Sequence, residues 1–450
     1  MESQIDIPAL IDRNQVGGFQ LRVLLLCGLC ILMDGFDVQA MGYVAPAIIQ
    51  EWHVSKAALG PVFGAGLLGM LVGSLAFSVL ADKIGRRPVL IGATLFFSVC
   101  MLVTPWATTL EQLQVLRFIT GLGLGAIMPN VMALAGEYSP ARKRVTLMML
   151  VSCGFTVGAV VGGLVSAALI PAFGWRAVFY IGGLAPLVIA LLMLPLLPES
   201  MQFLVLRGRR TDKVAQWLRA IDPTVVAGAG SRYLVQEAPQ KGGSVLALFR
   251  EGRAWTTTLL WLVNFLNLLN LYFLSNWLPT IIKGAGLSTS MAVLAGTVLP
   301  IGGTIGTLVM GQLIDRSSFR RVLIPCFLVA AVAIVLIGRP EASLLFLFAS
   351  ILVAGFCIVG GQPAVNALAG SYYPTTLRST GIGWSLGVGR IGSIIGPVLG
   401  GELIRMNWPN STIFAVAAVP ALLSAIMLWL MERPAVVEGA APEGMPAASH

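Results

Sequence analysis

Twelve apolar runs, each roughly 18 to 25 residues long and separated by turn signals, constrain this 450-residue chain more than any other feature. A helix rises about 1.5 Å per residue, so each run is long enough to cross the ~30 Å hydrocarbon core of a bilayer. They lie near 21–49, 57–80, 88–107, 111–135, 146–171, 176–197, 255–282, 289–313, 321–338, 342–369, 379–403 and 411–431. With 57% hydrophobic and only 11% charged residues, the chain is far from soluble globular composition. An all-α polytopic membrane protein is the expected class.

The formal net charge of +9 raises the question of a nucleic-acid partner, but the placement of the charge excludes it. Lys and Arg gather in alternate loops: Lys83, Arg86 and Arg87; Arg142, Lys143 and Arg144; Arg207 to Arg253; Arg316, Arg320 and Arg321; Arg378. That alternation predicts that the basic loops and both termini face the cytoplasm. Cys27, Cys30, Cys100, Cys153, Cys326 and Cys357 all fall in apolar runs without metal-ligand spacing to histidine, and they read as small core residues. No metal or other cofactor is expected. The polar, acid-containing N-terminus lacks the pattern of a cleaved signal peptide.

The hydrophilic interval around 198–253 divides the spans six and six, and the halves repeat each other. At an offset of 234, MPNVMALAGEYSP (Met128 to Pro140) overlies QPAVNALAGSYYP (Gln362 to Pro374), and the register continues through Gly158 over Gly392 and Gly162 over Gly396. At an offset of 233, Asp82 overlies Asp315. Parallel six-span repeats predict two bundles that rock about a midplane site. The expected division is a tail (1–20), a first bundle (21–197), a central loop with a surface helix and a linker (198–253), a second bundle (254–431) and a C-terminal tail (432–450).

Charges inside the spans point to chemistry. Asp34 and Asp37 are three residues apart in the first span, so they share one helical face, and Asp34 lies roughly 18 Å in from Arg22. Intramembrane acids mark ion or proton pathways, so both are candidate proton sites. Arg117 in span four and Arg390 in span eleven are permanent cations at depth and each needs an anion. Arg117 is expected either to pair with Asp37 or to bind an anionic substrate that replaces that partner. The repeat partners of Asp34 and Asp37 are Asn267 and Asn270, so acids belong to the first half and neutral polar contacts to the second. Asn264, Asn267 and Asn270 serve either substrate or helix packing. Phe36, Tyr43, Phe155, Tyr272, Trp277 and Trp384 supply rings around these charges, suited to planar ligands.

The loop LADKIGRR sets Asp82 before Arg86 and Arg87, and LIDRSSFRR sets Asp315 before Arg320 and Arg321. Both are candidate ion-pair latches between the bundles. Glu137, near Arg142 and Arg144 at the end of span four, is a further gating candidate, as is Arg378. The chain offers no nucleophile and base pair, and its only histidines are His53 and His450, so an enzyme is not expected. A sensor would need a sizeable soluble domain, for which the spans leave no room.

With LADKIGRR after span two, the chain resembles the major facilitator superfamily. With DGFD in span one, RFITGLGLGAIMPN in span four, PESMQFL after span six and RSTGIGWSLGVGRIG in span eleven, it is most similar to that superfamily's aromatic acid/proton symporters, and among those to the 4-hydroxybenzoate and protocatechuate carriers. It departs from the family's loop motif at Ser78, from the second copy by one extra residue, and from the commoner PESPRFL at Met201 and Gln202. The resemblance implies proton-coupled uptake of aromatic carboxylates by alternating access, in a monomer of the bacterial inner membrane. It carries transport roles onto Asp34, Asp37, Arg117 and Arg390, and gating roles onto Asp82 and Glu137. A carrier of another organic anion such as muconate, or of a sugar, is the alternative on the same scaffold.

Overall fold

The computed structural model describes residues 4–208, 211–225, 232–235, 245–339, 343–373 and 377–431. The helices in chain order are α1 (Ile7–Arg13), α2 (Gly18–Trp52), α3 (Gly60–Ile84), α4 (Arg86–Val103), α5 (Leu110–Gly125), α6 (Ile127–Glu137), α7 (Ala141–Phe173) and α8 (Arg176–Leu196). The short α9 (Met201–Leu206) and α10 (Thr211–Ile221) follow, and then α11 (Ala254–Gly284), α12 (Thr289–Arg316), α13 (Phe319–Ile337), α14 (Leu344–Tyr372), α15 (Arg378–Arg405) and α16 (Asn410–Leu430). Eleven helical stretches, with α5 and α6 counted as one, are long and apolar enough to cross a bilayer; α2, bent by 101° from α1, makes the twelfth. The twelve-span reading holds, with most helices reaching a few residues beyond the apolar runs.

The sequence repeat reappears as a packing repeat. In the first bundle α2 lies on α7 and α3 on α5; in the second α11 lies on α15 and α12 on α14. Glycine makes these crossings close. A Cβ at Gly158 would strike the Leu32 carbonyl of α2, and one at its repeat partner Gly392 would strike the Phe265 carbonyl of α11. Without water, helices associate through such small-residue contacts rather than through a hydrophobic drive. Leucines and valines such as Leu75, Leu150, Leu191 and Val332 stay exposed on the outer faces, where a lipid tail is as good a neighbour as another side chain.

At the end that carries the basic loops, the chain is stitched together by its terminus. Asp6 caps α1 by accepting from the Ala9 amide at 3.0 Å. Strand β1 (Gln4–Asp6) then pairs in parallel with β2 (Arg232–Leu234). Asn14 donates to Asp222 at 3.1 Å, Asp12 accepts from the Ala141 amide at 2.5 Å, and Arg142 donates to the carbonyls of Asp12 and Asn14. The Thr224 hydroxyl, Asn14 and the Thr224 amide donate to Asp222 and hold its carboxyl below the usual carboxylate range. Two expectations change here. The single surface helix is two, α9 and α10, with Gly208 between them at φ +60°. The stretch read as linker contains β2, so part of it docks on the N-terminal segment. The tail 432–450 lies outside the described residues.

The two bundles meet at the opposite end. Gln39 of α2 donates to the Ser275 carbonyl of α11 at 3.0 Å, and Ser290 of α12 to the Ala167 carbonyl of α7 at 3.4 Å. Phe63 of α3 meets Trp277 of α11 edge-on at 5.1 Å, and a Cβ at Gly60 would touch the Pro397 carbonyl of α15. Toward the basic-loop end, no ion pair among the described residues joins the bundles.

Candidate functional site

Both intramembrane acids sit mid-way along α2 and point into protein, not lipid: Asp34 is 2% exposed and Asp37 is fully buried. Their surroundings differ. Arg117 of α5 grips Asp37 with two parallel bonds, Nη1 to Oδ1 and Nη2 to Oδ2, each 2.9 Å. This bidentate geometry is the strongest that a guanidinium and a carboxylate can adopt. Asp34 makes no ion pair, and its Oδ1 is buried without a hydrogen-bond partner.

Asp34 instead faces a cavity of about 270 Å³ between the bundles. Phe155 and Thr156 of α7, Tyr272 of α11, Gln362 and Asn366 of α14 and Arg390 of α15 share its wall with apolar side chains such as Met70 and Leu386. Among the described residues lining it, Arg390 is the only cation and Asp34 the only acid. The two charges are electrostatic neighbours, yet no acid lies within 4.0 Å of the Arg390 guanidinium among the described residues. A half-buried cation with no acid partner among the described residues, in a mostly apolar cleft with an aromatic side chain from each bundle, is an arrangement that can receive a planar anion.

Several expected ligands lie elsewhere. Arg117 turns toward α2 and borders only a narrow gap of about 20 Å³, so Asp37 takes the place expected for a substrate anion. Phe36, two residues from Asp34, falls on the other side of α2 and packs on Gly162 and Gly182. Trp384 is six residues before Arg390, about 120° away around the helix, and it stacks on Trp261 at 5.9 Å, 47% exposed. Asn270 is buried with neither side-chain polar atom bonded, and it does not line the cavity. Asn267 stands behind the wall, donating to Gln362 at 2.7 Å. Tyr43 donates to the Ala159 carbonyl at 3.0 Å, and Trp277 belongs to the seam between bundles. Phe155, Tyr272 and Arg390 do line the cavity. Gln362 and Asn366 were missed, although two polar residues at i and i+4 within an apolar run were a readable signal.

The expected latches are not closed across the bundles. Arg86 pairs with Glu137 of the same bundle, and Glu137 also accepts from Ser200 at 2.6 Å. Arg87 donates to the carbonyls of Leu194 and Leu197 at the end of α8. Glu199, not anticipated, accepts from the amides of Arg86, Arg87 and Ser200 and so caps α4. The Asp82 carbonyl accepts from Arg207, Arg144 donates to the Ser139 carbonyl, and Arg320 donates to the Trp429 carbonyl. Asp82, Asp315 and Arg378 form no ion pair among the described residues. A hollow of about 690 Å³ also opens at this end, between α2, α4, α8 and α10, but it lies on the outside of the first bundle. Among the described residues no cluster of three metal-ligating side chains occurs.

The model of the Major Facilitator Superfamily matches residues 27–306 and 260–449. The chain is 40% identical to the 4-hydroxybenzoate transporter PcaK of Pseudomonas putida over 423 residues, 94% of each chain. It is 37% identical to the gallate transporter of Pseudomonas putida over 429 residues, 95% of each. Its fold is similar to the inward open conformation of the xylose transporter XylE from E. coli, with a TM-score of 0.75 at 15% identity over 93% of this chain and 98% of that one. Two six-helix bundles around a central cavity, with the family match across nearly the whole length, place the protein: it belongs to the major facilitator superfamily, as a multi-pass membrane transporter and not an enzyme.

Proposed function

We propose that the protein imports aromatic carboxylates together with protons, in the manner of the 4-hydroxybenzoate and gallate transporters it is similar to. One observation carries this reading: Arg390, a cation without an acid partner, and Asp34, an acid without a cation partner, among the described residues, line one cavity between the bundles. Arg390 takes the carboxylate in its planar fork, and the ring lies among Phe155, Tyr272 and the apolar lining. Asp34 accepts and releases the proton. The arrival of an anion at Arg390 removes the positive charge that favours ionised Asp34, so anion and proton are bound together. Asp37 and Arg117 form a fixed pair that braces α2 against α5 behind the site.

The positive-inside pattern orients the basic loops and both termini toward the cytoplasm of a bacterial inner membrane. The seam at Gln39, Phe63 and Trp277 then closes the outer side, and the cavity faces inward. A dicarboxylate such as muconate is less well matched, because the described residues that line the cavity offer a single cation. A sugar does not need that cation at all.

Proteoliposomes with an imposed pH gradient test the reading. Labelled 4-hydroxybenzoate should accumulate, xylose should not, and Arg390→Gln should lose binding of the acid. Uptake of xylose in preference to aromatic acids, or an Arg390→Gln protein with unchanged KM, would overturn it.

A further inference from the structure

The wall of the cavity contributed by the second bundle carries an array of amides. Asn267 donates to Gln362 Oε1 at 2.7 Å and to the Ile358 carbonyl at 3.2 Å. Gln362 Nε2 donates to Asn264 Oδ1 at 2.9 Å and to Asn366 Oδ1 at 3.1 Å. Asn264 Nδ2 donates to Asn366 Oδ1 at 3.3 Å and to the Ser385 hydroxyl at 3.0 Å. Gly389 leaves room for the array, since a Cβ there would meet Asn264 Oδ1 at 2.7 Å.

Such a network fixes the direction of each amide, because every bond assigns a donor and an acceptor. Following the bonds outward shows what is left over. The Asn264 amide nitrogen and the Gln362 amide nitrogen each donate twice. The Asn366 Nδ2 donates to nothing among the described residues, and Gln362 Oε1 accepts one bond where it has room for two. Both of these residues line the cavity. The array therefore ends, among residues that line the cavity, on one free amide NH2 group beside one free carbonyl lone pair.

The fold does not need amides there for packing. The repeat partners of Gln362 and Asn366 in the first bundle are Met128 and Met132, so the equivalent helix stands with apolar side chains. Asn264 and Ser385 likewise overlie Ile31 and Val151. The first bundle lines the cavity with its own polar groups, Asp34, Gln39, Ser152 and Thr156, but the linked amides belong to the second bundle alone and carry no charge.

We infer that Gln362 and Asn366 form a subsite for a ring hydroxyl of the substrate, distinct from the carboxylate subsite at Arg390. A phenolic O–H both donates and accepts; it would donate to Gln362 Oε1 and accept from Asn366 Nδ2. This deepens the proposed function and rests on it: the substrate class becomes hydroxylated aromatic acids in preference to unsubstituted benzoate. A polar subsite of this kind discriminates strongly, because a ligand without the hydroxyl leaves buried polar groups unpaired.

The test is binding to the purified full-length protein by calorimetry, with benzoate, 4-hydroxybenzoate, 3-hydroxybenzoate and 4-methoxybenzoate. Wild type should bind at least one hydroxybenzoate roughly 10-fold tighter than benzoate, as two added hydrogen bonds suggest. The methoxy compound, which cannot donate, should fall back toward benzoate. Asn366→Met and Gln362→Met, which copy the first bundle, should lose the preference for the hydroxyl, read as the ratio of hydroxybenzoate to benzoate affinity within each variant; a monodisperse gel-filtration peak and a cooperative thermal melt report that the variant is folded. A folded variant that keeps the preference, or a methoxy compound that binds wild type as tightly as the hydroxy compounds, overturns the subsite and leaves the transport reading standing. A wild-type protein that binds none of the four acids overturns both.

Discussion

Arg117 closes on Asp37 through two 2.9 Å hydrogen bonds between α5 and α2, while Asp34, one helical turn away, has no cation bound to it. The same helix thus presents one acid locked in an ion pair and one without a cation partner among the described residues.

Breaking the pair from one side leaves a buried charge with no partner. Asp37→Asn and Arg117→Gln should each lower stability by about 3–5 kcal/mol, and the double variant should recover much of that loss. Thermal melting of the purified proteins reads this directly. A single variant that melts like wild type while losing proton coupling would move the proton site to Asp37.

Asp34→Asn should separate binding from coupling. The variant is expected to exchange labelled against unlabelled substrate across proteoliposomes, while accumulation under a pH gradient falls to that of the control without a gradient. Gradient-driven accumulation at the wild-type level would exclude Asp34 as the proton carrier.

Glu199 holds the start of α4 by accepting from two of its backbone amides, those of Arg86 and Arg87, and Gly85 precedes it at φ +106° with no space for a Cβ beside that carboxylate. Glu199→Gln weakens the cap and its favourable charge at a helix N-terminus, and should cost about 1–2 kcal/mol. Gly85→Ala adds backbone strain to a collision and should cost roughly 1 kcal/mol or more. Chemical denaturation of both variants in detergent checks the order of magnitude.

The stitch between Asn14 and Asp222 has a defined response to acid. The folded state holds the Asp222 carboxyl below its ordinary value, chiefly through the Thr224 hydroxyl, so its stabilising contribution is complete above roughly pH 4 and is lost as pH falls through the lower, folded value. The protection factors of the amides in residues 7–14, with the intrinsic pH dependence of exchange divided out, should therefore be the same at pH 7 and pH 5, and lower at both in Asp222→Ala. Loss of protection in wild type between those two values would show that another group governs the docking.

How much of this was readable beforehand depended on the kind of signal. Span length and the 234-residue offset located the helices, because a bilayer imposes length and a repeat imposes register. The depth of Asp34, Asp37 and Arg390 came from counting along a helix. Direction around a helix is harder: Phe36 and Trp384 lie close in sequence to Asp34 and Arg390, yet the turn of 100° per residue sends them to other faces. Attention to charge alone also hid Gln362 and Asn366, whose significance depends on bonds to Asn264 and Asn267 on another helix. The pairing of β1 with β2 had no local signature, since three-residue strands are too short for an alternating pattern to show.

Trp277 is fully buried at the seam, edge-on to Phe63 and donating to the Pro397 carbonyl at 2.7 Å. Parting the bundles there would take away the phenyl face while the bond to Pro397, within its own bundle, survives. The indole is thus a built-in optical probe of this seam: taken as the difference between the protein and Trp277→Phe, since the chain holds ten tryptophans, its emission and its access to a water-borne quencher should change when the seam parts, with no label attached.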